Sequence, residues 1–265
     1  MTKRAPRLLL RALHTLSRGA RLASCVLFAG LGAAPAFAEE ITSARFADPT
    51  DRYAHGVLGD AIEWGTIVID AAVHRTTGGQ ADATQETINY TVSLPLDHVF
   101  EDVAPRLVDV DNDGDMEVMV VESDARRGAA LALYDMRGKI TETPHIGTRN
   151  RWLAPIGAAD LDGDGLVEIA YVDRPHLAKT LRIWRYQRGT LRQVASLNGL
   201  TNHRIGERDI AGGIRTCNGG PEMIVASANW SQLIAVTWQG DDFEWTVIGT
   251  DTSRPAFARA MKCAG

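Results

Sequence analysis

The sequence predicts an all-β fold: a β-propeller of four-stranded blades, four in number, with Ca-binding Asp-rich loops. Three observations carry that prediction. A unit of about 50 residues recurs four times. Each unit reads as short strands separated by Gly-containing turns, and no amphipathic helical stripe interrupts them. Two units carry an intact acidic loop ahead of an apolar run. A repeat of this length is one small sheet that cannot bury its faces alone, and stacking such sheets radially makes a propeller.

The period is visible in two registers. The first loop aspartates, Asp60, Asp109, Asp160 and Asp209, are 49, 51 and 49 residues apart. The glutamates that open the next apolar run, Glu63, Glu117, Glu168 and Glu222, are 54, 51 and 54 apart. A shortened loop in the first unit and an insertion holding Cys217 in the fourth reconcile the two.

The strands follow in order. In the first unit a strand starts at Glu63, and residues 75–87 (RTTGGQADATQET) read as an exposed loop. The second unit places strands at 106–108, 117–122, 129–134 and from 140 onward. The third places them at 153–159, 168–172, 180–186 and 192–197; the stretch TLRIWRY alternates with period two, as a half-buried strand does. The blades then cover about residues 53–103, 104–153, 154–204 and 205–253 of a single domain, 39–265, with 254–265 as a closing segment. Ring closure has two candidates: residues 40–47 adding a strand to the last blade, or 256–263 adding one to the first. Trp64, Trp184, Trp230, Trp238 and Trp245 read mostly as packing between blades.

Residues 1–38 read as a cleavable signal peptide. Six basic residues and no acid precede the apolar run 22–34, which is short for a membrane span, and Ala36-Phe37-Ala38 fits a small-x-small cleavage site. The Leu22-Ala-Ser-Cys25 box precedes the apolar run instead of ending it, which argues against lipidation. The mature chain of 227 residues then has no transmembrane anchor and is periplasmic or secreted. It keeps 22 basic against 33 acidic residues, a net charge of −11, which argues against nucleic acid as a partner. Its two cysteines, Cys217 and Cys263, predict one disulfide in an oxidising compartment.

In the acidic loops, Asp at positions 1, 3 and 5 turns hard oxygen ligands toward one point. Gly at position 6 permits the turn, position 7 offers a carbonyl, and an acid at position 9 closes the cage. All-oxygen donors favour Ca²⁺. An EF-hand would need Glu at position 12, where Val120 and Tyr171 stand, and flanking helices. The loops resemble the FG-GAP/VCBS repeats of integrin-α-like β-propellers of exported bacterial type. That resemblance implies two Ca²⁺ sites: Asp109, Asp111, Asp113, the Asp115 carbonyl and Glu117; and Asp160, Asp162, Asp164, the Leu166 carbonyl and Glu168. Glu stands where the family usually has Asp at position 9. The match covers about residues 104–204, and the loops at Asp60 and Asp209 are too degenerate for calcium. The expected role of the ion is structural.

Most of a second constellation lies just ahead of the loop aspartates, while His176 follows a second strand. His55, Arg151, Trp152, His176, His203 and Arg204 sit near predicted strand ends, where a propeller would gather them at one mouth of its channel. Such a ring suits an anionic or carbohydrate-like ligand, or a general acid or base. No nucleophile elbow, Walker loop, Rossmann fingerprint or zinc-protease motif is present. The sequence therefore predicts a binding or scaffolding module for a protein or carbohydrate ligand. An exported hydrolase or lyase is the alternative.

Overall fold

In the second, third and fourth sheet units the second strand is apolar on both faces, and this makes the fold a stack. In β6 (Glu117–Asp124) all eight residues are buried. Alternation sends Val118 and Val120 to one side and Met119 and Val121 to the other, and each pair joins a different core cluster. The same split recurs in β10 (Glu168–Asp173) and β15 (Pro221–Ser227).

The structure is a computed structural model and describes residues 38–75, 84–217 and 219–263. Residues 1–37 of the expected signal peptide lie outside the described residues, as does most of the loop expected at 75–87, while Ala38 opens β1. The end of that loop, from Thr84, is strand instead.

The first unit contains β1 (Ala38–Thr50), β2 (Glu63–Arg75) and β3 (Thr84–Ser93), with β2 between the other two. In the second, β4 (His98–Phe100) and β5 (Arg106–Val108) share one edge of β6 as the two halves of an interrupted strand. β7 (Gly128–Asp135) and β8 (Gly138–Glu142) follow on the other edge. A single pairing, Trp64 with Phe100, joins these units into one sheet. The third is a meander of β9 (Leu153–Ala159), β10, β11 (Thr180–Gln187) and β12 (Thr190–Asn198). The fourth repeats the interrupted edge: β13 (Leu200–Thr201) and β14 (Gly213–Thr216) both pair with β15, followed by β16 (Leu233–Trp238) and β17 (Phe243–Gly249).

Neighbouring units pack face to face. Ile67 and Ile69 of the first meet Val118 and Val120 of the second. Met119 and Leu131 of the second meet Ile169 and Trp184 of the third. Val172 and Ile183 of the third meet Val225 and Val236 of the fourth.

Neither expected route of ring closure occurs. Residues 40–47 belong to β1 and pair with β2 in the first unit. The C-terminal segment is not a strand but α1 (Arg254–Met261), capped by Ser253. Ala256, Phe257 and Ala260 of α1 cover the outer face of the fourth unit, against Ile224, Ala226 and Leu233. Eight residues carry too short a stripe to stand out by periodicity, and Pro255 at the first turn suits a helix start. The tryptophan expectation holds for Trp184 and Trp238, which are buried, but Trp245 is 60% exposed.

Cys217 and Cys263 are bonded, and the bridge ties the end of α1 to the strand edge it covers. Arg215 adds a hydrogen bond to the Ala260 carbonyl (2.6 Å). The sequence separation of 46 residues corresponds in the chain-entropy model to about 4 kcal/mol at most. Replacing both cysteines by serine is expected to lower the melting temperature by several degrees. Calorimetry should find the same loss in the unmodified chain after reduction.

Candidate functional site

The acidic loop of the second unit spans the turn from β5 to β6. Glu117, first residue of β6, accepts the Val110 N–H at Oε2 (2.9 Å), and Asp109 Oδ2 accepts from Gly114 N (3.1 Å). Gly114 has φ +95°, a conformation that a side chain would strain. The turn brings carboxylate oxygens of Asp109, Asp111 and Glu117 within 4.8 Å of one another. Asp113 is not in that cluster; its Oδ1 accepts the Asp115 N–H (2.9 Å). Burial, reinforced by the neighbouring aspartates, pushes Glu117 up to about 7 and raises Asp111. Asp109 Oδ1 is buried without a hydrogen-bond partner. The loop opens on a cavity of about 310 Å³ that Asp113, Asp115, Asp135 and Arg137 also line. Arg137 pairs with Asp135 at 2.9 Å and is 92% exposed. An orphaned buried oxygen beside the raised carboxyls of Asp111 and Glu117 fits a hard divalent cation, with Asp109, Asp111 and Glu117 as its side-chain ligands.

The loop of the third unit has the same skeleton and a different charge balance. Glu168 Oε2 accepts from Leu161 N (3.0 Å), and Asp160 accepts from Gly163 N (2.8 Å) and Gly165 N (2.9 Å). Asp160, Asp162 and Glu168 converge within 4.8 Å. Arg185, however, reaches Glu168 at 2.5 Å, Asp162 at 2.8 Å and Asp164 at 2.8 Å. Asp164 Oδ1 accepts the Leu166 N–H (2.9 Å). Arg185 faces Glu168 in the β10–β11 register. In the second unit Tyr134 faces Val118, which leaves Asp135 at the equivalent place. One loop is thus surrounded by acids and the other already holds a guanidinium. The two loops touch through Asn112 Nδ2 and the Gly165 carbonyl (3.1 Å).

The first and fourth units keep the buried glutamate without the loop. Glu222 pairs with Arg215 at 2.7 Å. Glu63 is pushed up to about 9, chiefly by burial and then by Glu101 and Asp60.

At the opposite ends of the second strands, most of the second constellation converges. His55, Asn150, Arg151, Trp152, Arg174 and His176 line a cavity of about 160 Å³. His203 lies one shell back: its Nδ1 is 3.0 Å from His176 Nε2 and its ring meets Trp152 edge-on at 4.9 Å. Arg204 does not join them; its guanidinium lies 3.8 Å over the Trp230 ring and bonds Thr252. Burial, then His203 and His55, pulls His176 down to about 4, so it is neutral at ordinary pH. Arg174 is bound to Asp173 (2.8 Å). Arg151 bonds only the Asn150 carbonyl and has no carboxylate partner among the described residues.

Sequence reading missed Glu101. Its buried carboxylate meets His55 Nδ1 at 2.5 Å and accepts from Ser123 Oγ, while its carbonyl accepts the Trp152 indole N–H (2.8 Å). A single acid after Phe100 carries no sequence signal. Arg185 was missed too, although the strand alternation TLRIWRY contained it.

A Glu63→Gln exchange tests the buried carboxyl. Its folded pKa lies above its unfolded value, so its contribution to stability is present below about 4.5 and lost as pH rises toward about 9. The variant is expected to melt higher than the parent at pH 8 and to match it at pH 4.5.

A family model described as the FG-GAP-like repeat matches residues 109–171. No curated protein matches the sequence. Among solved structures, the exotype rhamnogalacturonan lyase YesX is similar at 12% identity and a TM-score of 0.36, over 81% of this chain and 48% of that one. The chain thus spans about half the length of that lyase.

Proposed function

We propose that this chain, an FG-GAP-repeat protein by its residues 109–171, is an exported, calcium-stabilised propeller-type module that binds a ligand through its His55–Trp152 face. The observation that carries the reading is the cavity itself. Three segments distant in sequence deliver His55, Arg151 with Trp152, and Arg174 with His176 to one place. The volume suits a single charged group. A neutral imidazole and an unpaired guanidinium favour a carboxylate, presented by an acidic carbohydrate or an acidic peptide. Export to the periplasm or cell exterior after loss of residues 1–38 belongs to the proposal, and the Cys217–Cys263 bridge supports it. Among the described residues no helix is long and apolar enough to cross a membrane.

Calorimetric titration of the mature chain with oligouronates and with Asp/Glu-rich peptides tests the binding reading. Binding of one class is expected, with Arg151→Ala weakening it about tenfold or more, since a charge-assisted pair is lost. If neither class binds, the reading fails. The alternative, an exported hydrolase or lyase, draws on the same convergence, because neutral His176 beside His203 is able to take a proton. Product formation from the bound ligand would favour it over simple binding.

For calcium we propose one occupied loop, at Asp109, Asp111 and Glu117, with the Arg185 guanidinium serving the second in place of an ion. When bound, Ca²⁺ supplies charge neutralisation and cross-links the β5–β6 turn. Titration is expected to find one site, abolished by Asp109→Asn, and EDTA is expected to lower the melting temperature. Arg185→Gln is expected to add a second site. Two equal sites in the parent would sink the asymmetry.

A further inference from the structure

At the end of the second unit opposite its acidic loop, three side chains from three segments meet. His98 opens β4, Asp124 closes β6, and His145 lies in the connection from β8 to β9. His98 and Asp124 face each other in register. One ligand atom from each of the three lies within 4.8 Å of the other two.

Both rings are oriented by their other nitrogen. His145 Nδ1 lies 2.6 Å from the Gly128 carbonyl, and His98 Nδ1 lies 2.9 Å from Asp97 Oδ1. A carbonyl and a carboxylate only accept, so each Nδ1 carries its hydrogen and each Nε2 faces the cluster. Gly128 has φ +73°, and a Cβ there would lie 2.3 Å from the Thr148 carbonyl; glycine lets the connection approach this closely. The His145 side chain is 4% exposed, and its Nε2 is buried without a hydrogen-bond partner, 3.5 Å from Glu142 Oε1. His98 Nε2 stands 3.4 Å from Asp124 Oδ2 and 3.8 Å from Glu122 Oε1. Two imidazole lone pairs thus point toward carboxylate oxygens. Only added protons or a cation make that arrangement favourable.

The surrounding cations hold the carboxylates but neither imidazole Nε2. Lys139 pairs with Glu122 (2.7 Å) and Glu142 (2.8 Å). Arg127 reaches Asp124 Oδ2 through both Nε and Nη2 (2.9 Å each), and Oδ1 accepts the Arg126 and Arg127 N–H groups, so a metal on Asp124 displaces the guanidinium from Oδ2.

We propose that His98, Asp124 and His145 form a binding site for a divalent transition metal of the Zn²⁺ class. Two imidazoles and one carboxylate make a borderline-soft donor set, unlike the all-oxygen loops at the other end of the sheet. Glu122 or Glu142 stands ready as a fourth donor. The site links β4, β6 and the connection 143–152. That connection goes on to place Asn150, Arg151 and Trp152 at the ligand cavity, and Arg149 within it bonds the Ala125 carbonyl beside Asp124 (3.4 Å).

The test uses the full chain, stripped with EDTA and returned to saturating Ca²⁺ so that the Asp109 loop is filled. Titration with Co²⁺ is expected to load one equivalent with the visible bands of a tetrahedral nitrogen–oxygen site, and Zn²⁺ is expected to displace it. His98→Gln and His145→Asn, made separately, are expected to weaken Zn²⁺ binding by about thirtyfold or more, with calcium-dependent melting unchanged. Should either variant fail to fold, the Co²⁺ spectrum of the parent decides. Absence of uptake by the parent, bands of an all-oxygen octahedral site, or undiminished binding in both folded variants would each overturn the proposal. The first of these would identify His98 and His145 as protonated partners of their carboxylates.

Discussion

A glutamate buried at the head of a strand is the constraint on which the sheet units depend. Glu63, Glu117, Glu168 and Glu222 are all at most 8% exposed, and a carboxylate so placed is costly unless its charge is answered. Each unit answers differently. Glu63 is held protonated, Glu168 and Glu222 each meet an arginine, and Glu117 shares its site with two aspartates and one orphaned oxygen. In both intact loops the glutamate accepts an N–H seven residues before it, so the residue that creates the charge problem also folds the turn. Across the strand from that glutamate stands Asp135 in the second unit and Arg185 in the third, and Arg185 closes the third loop as an ion pair.

The second constraint is the two-faced apolar strand. A sheet buried on both sides needs a neighbour on each, and the stack must end somewhere. Here it ends on the fourth unit in a short helix instead of a returning strand. The disulfide and the Arg215–Ala260 bond hold that helix against the sheet. The first unit carries a polar network on the face of β2 turned away from Ile67 and Ile69, with Asp70 bonded to Ser43, Arg45 and Asn89.

These two constraints separate the ends of the strands by task. The acidic loops, with their internal bonds, occupy one end. The other end is free for longer connections, and there the segments around His55, Trp152 and His176 meet. The interruptions between β4 and β5 and between β13 and β14 serve that end: the first carries Glu101, which holds His55 and Trp152, and the second carries His203.

Much of the fold was legible because its causes are local. The apolar runs flanking the third loop placed β9 at its observed bounds and β10 within a residue at one end, period-two alternation did the same for β11, and the Asp-x-Asp-x-Asp-Gly spacing marked both turns. The cysteine pairing followed from there being two outside the expected signal peptide. By itself, then, the sequence determined the strands, the repeat, the acidic turns and the bridge, each a matter of neighbours or of count. Tertiary structure alone decided that Arg185 faces Glu168, that α1 ends the stack, that Arg204 turns away while Glu101 backs His55 and Trp152, and that His98 and His145 meet. Those outcomes depend on cross-strand register and on packing between segments some 20 to 60 residues apart, and no spacing along one chain encodes which side chain will stand opposite another.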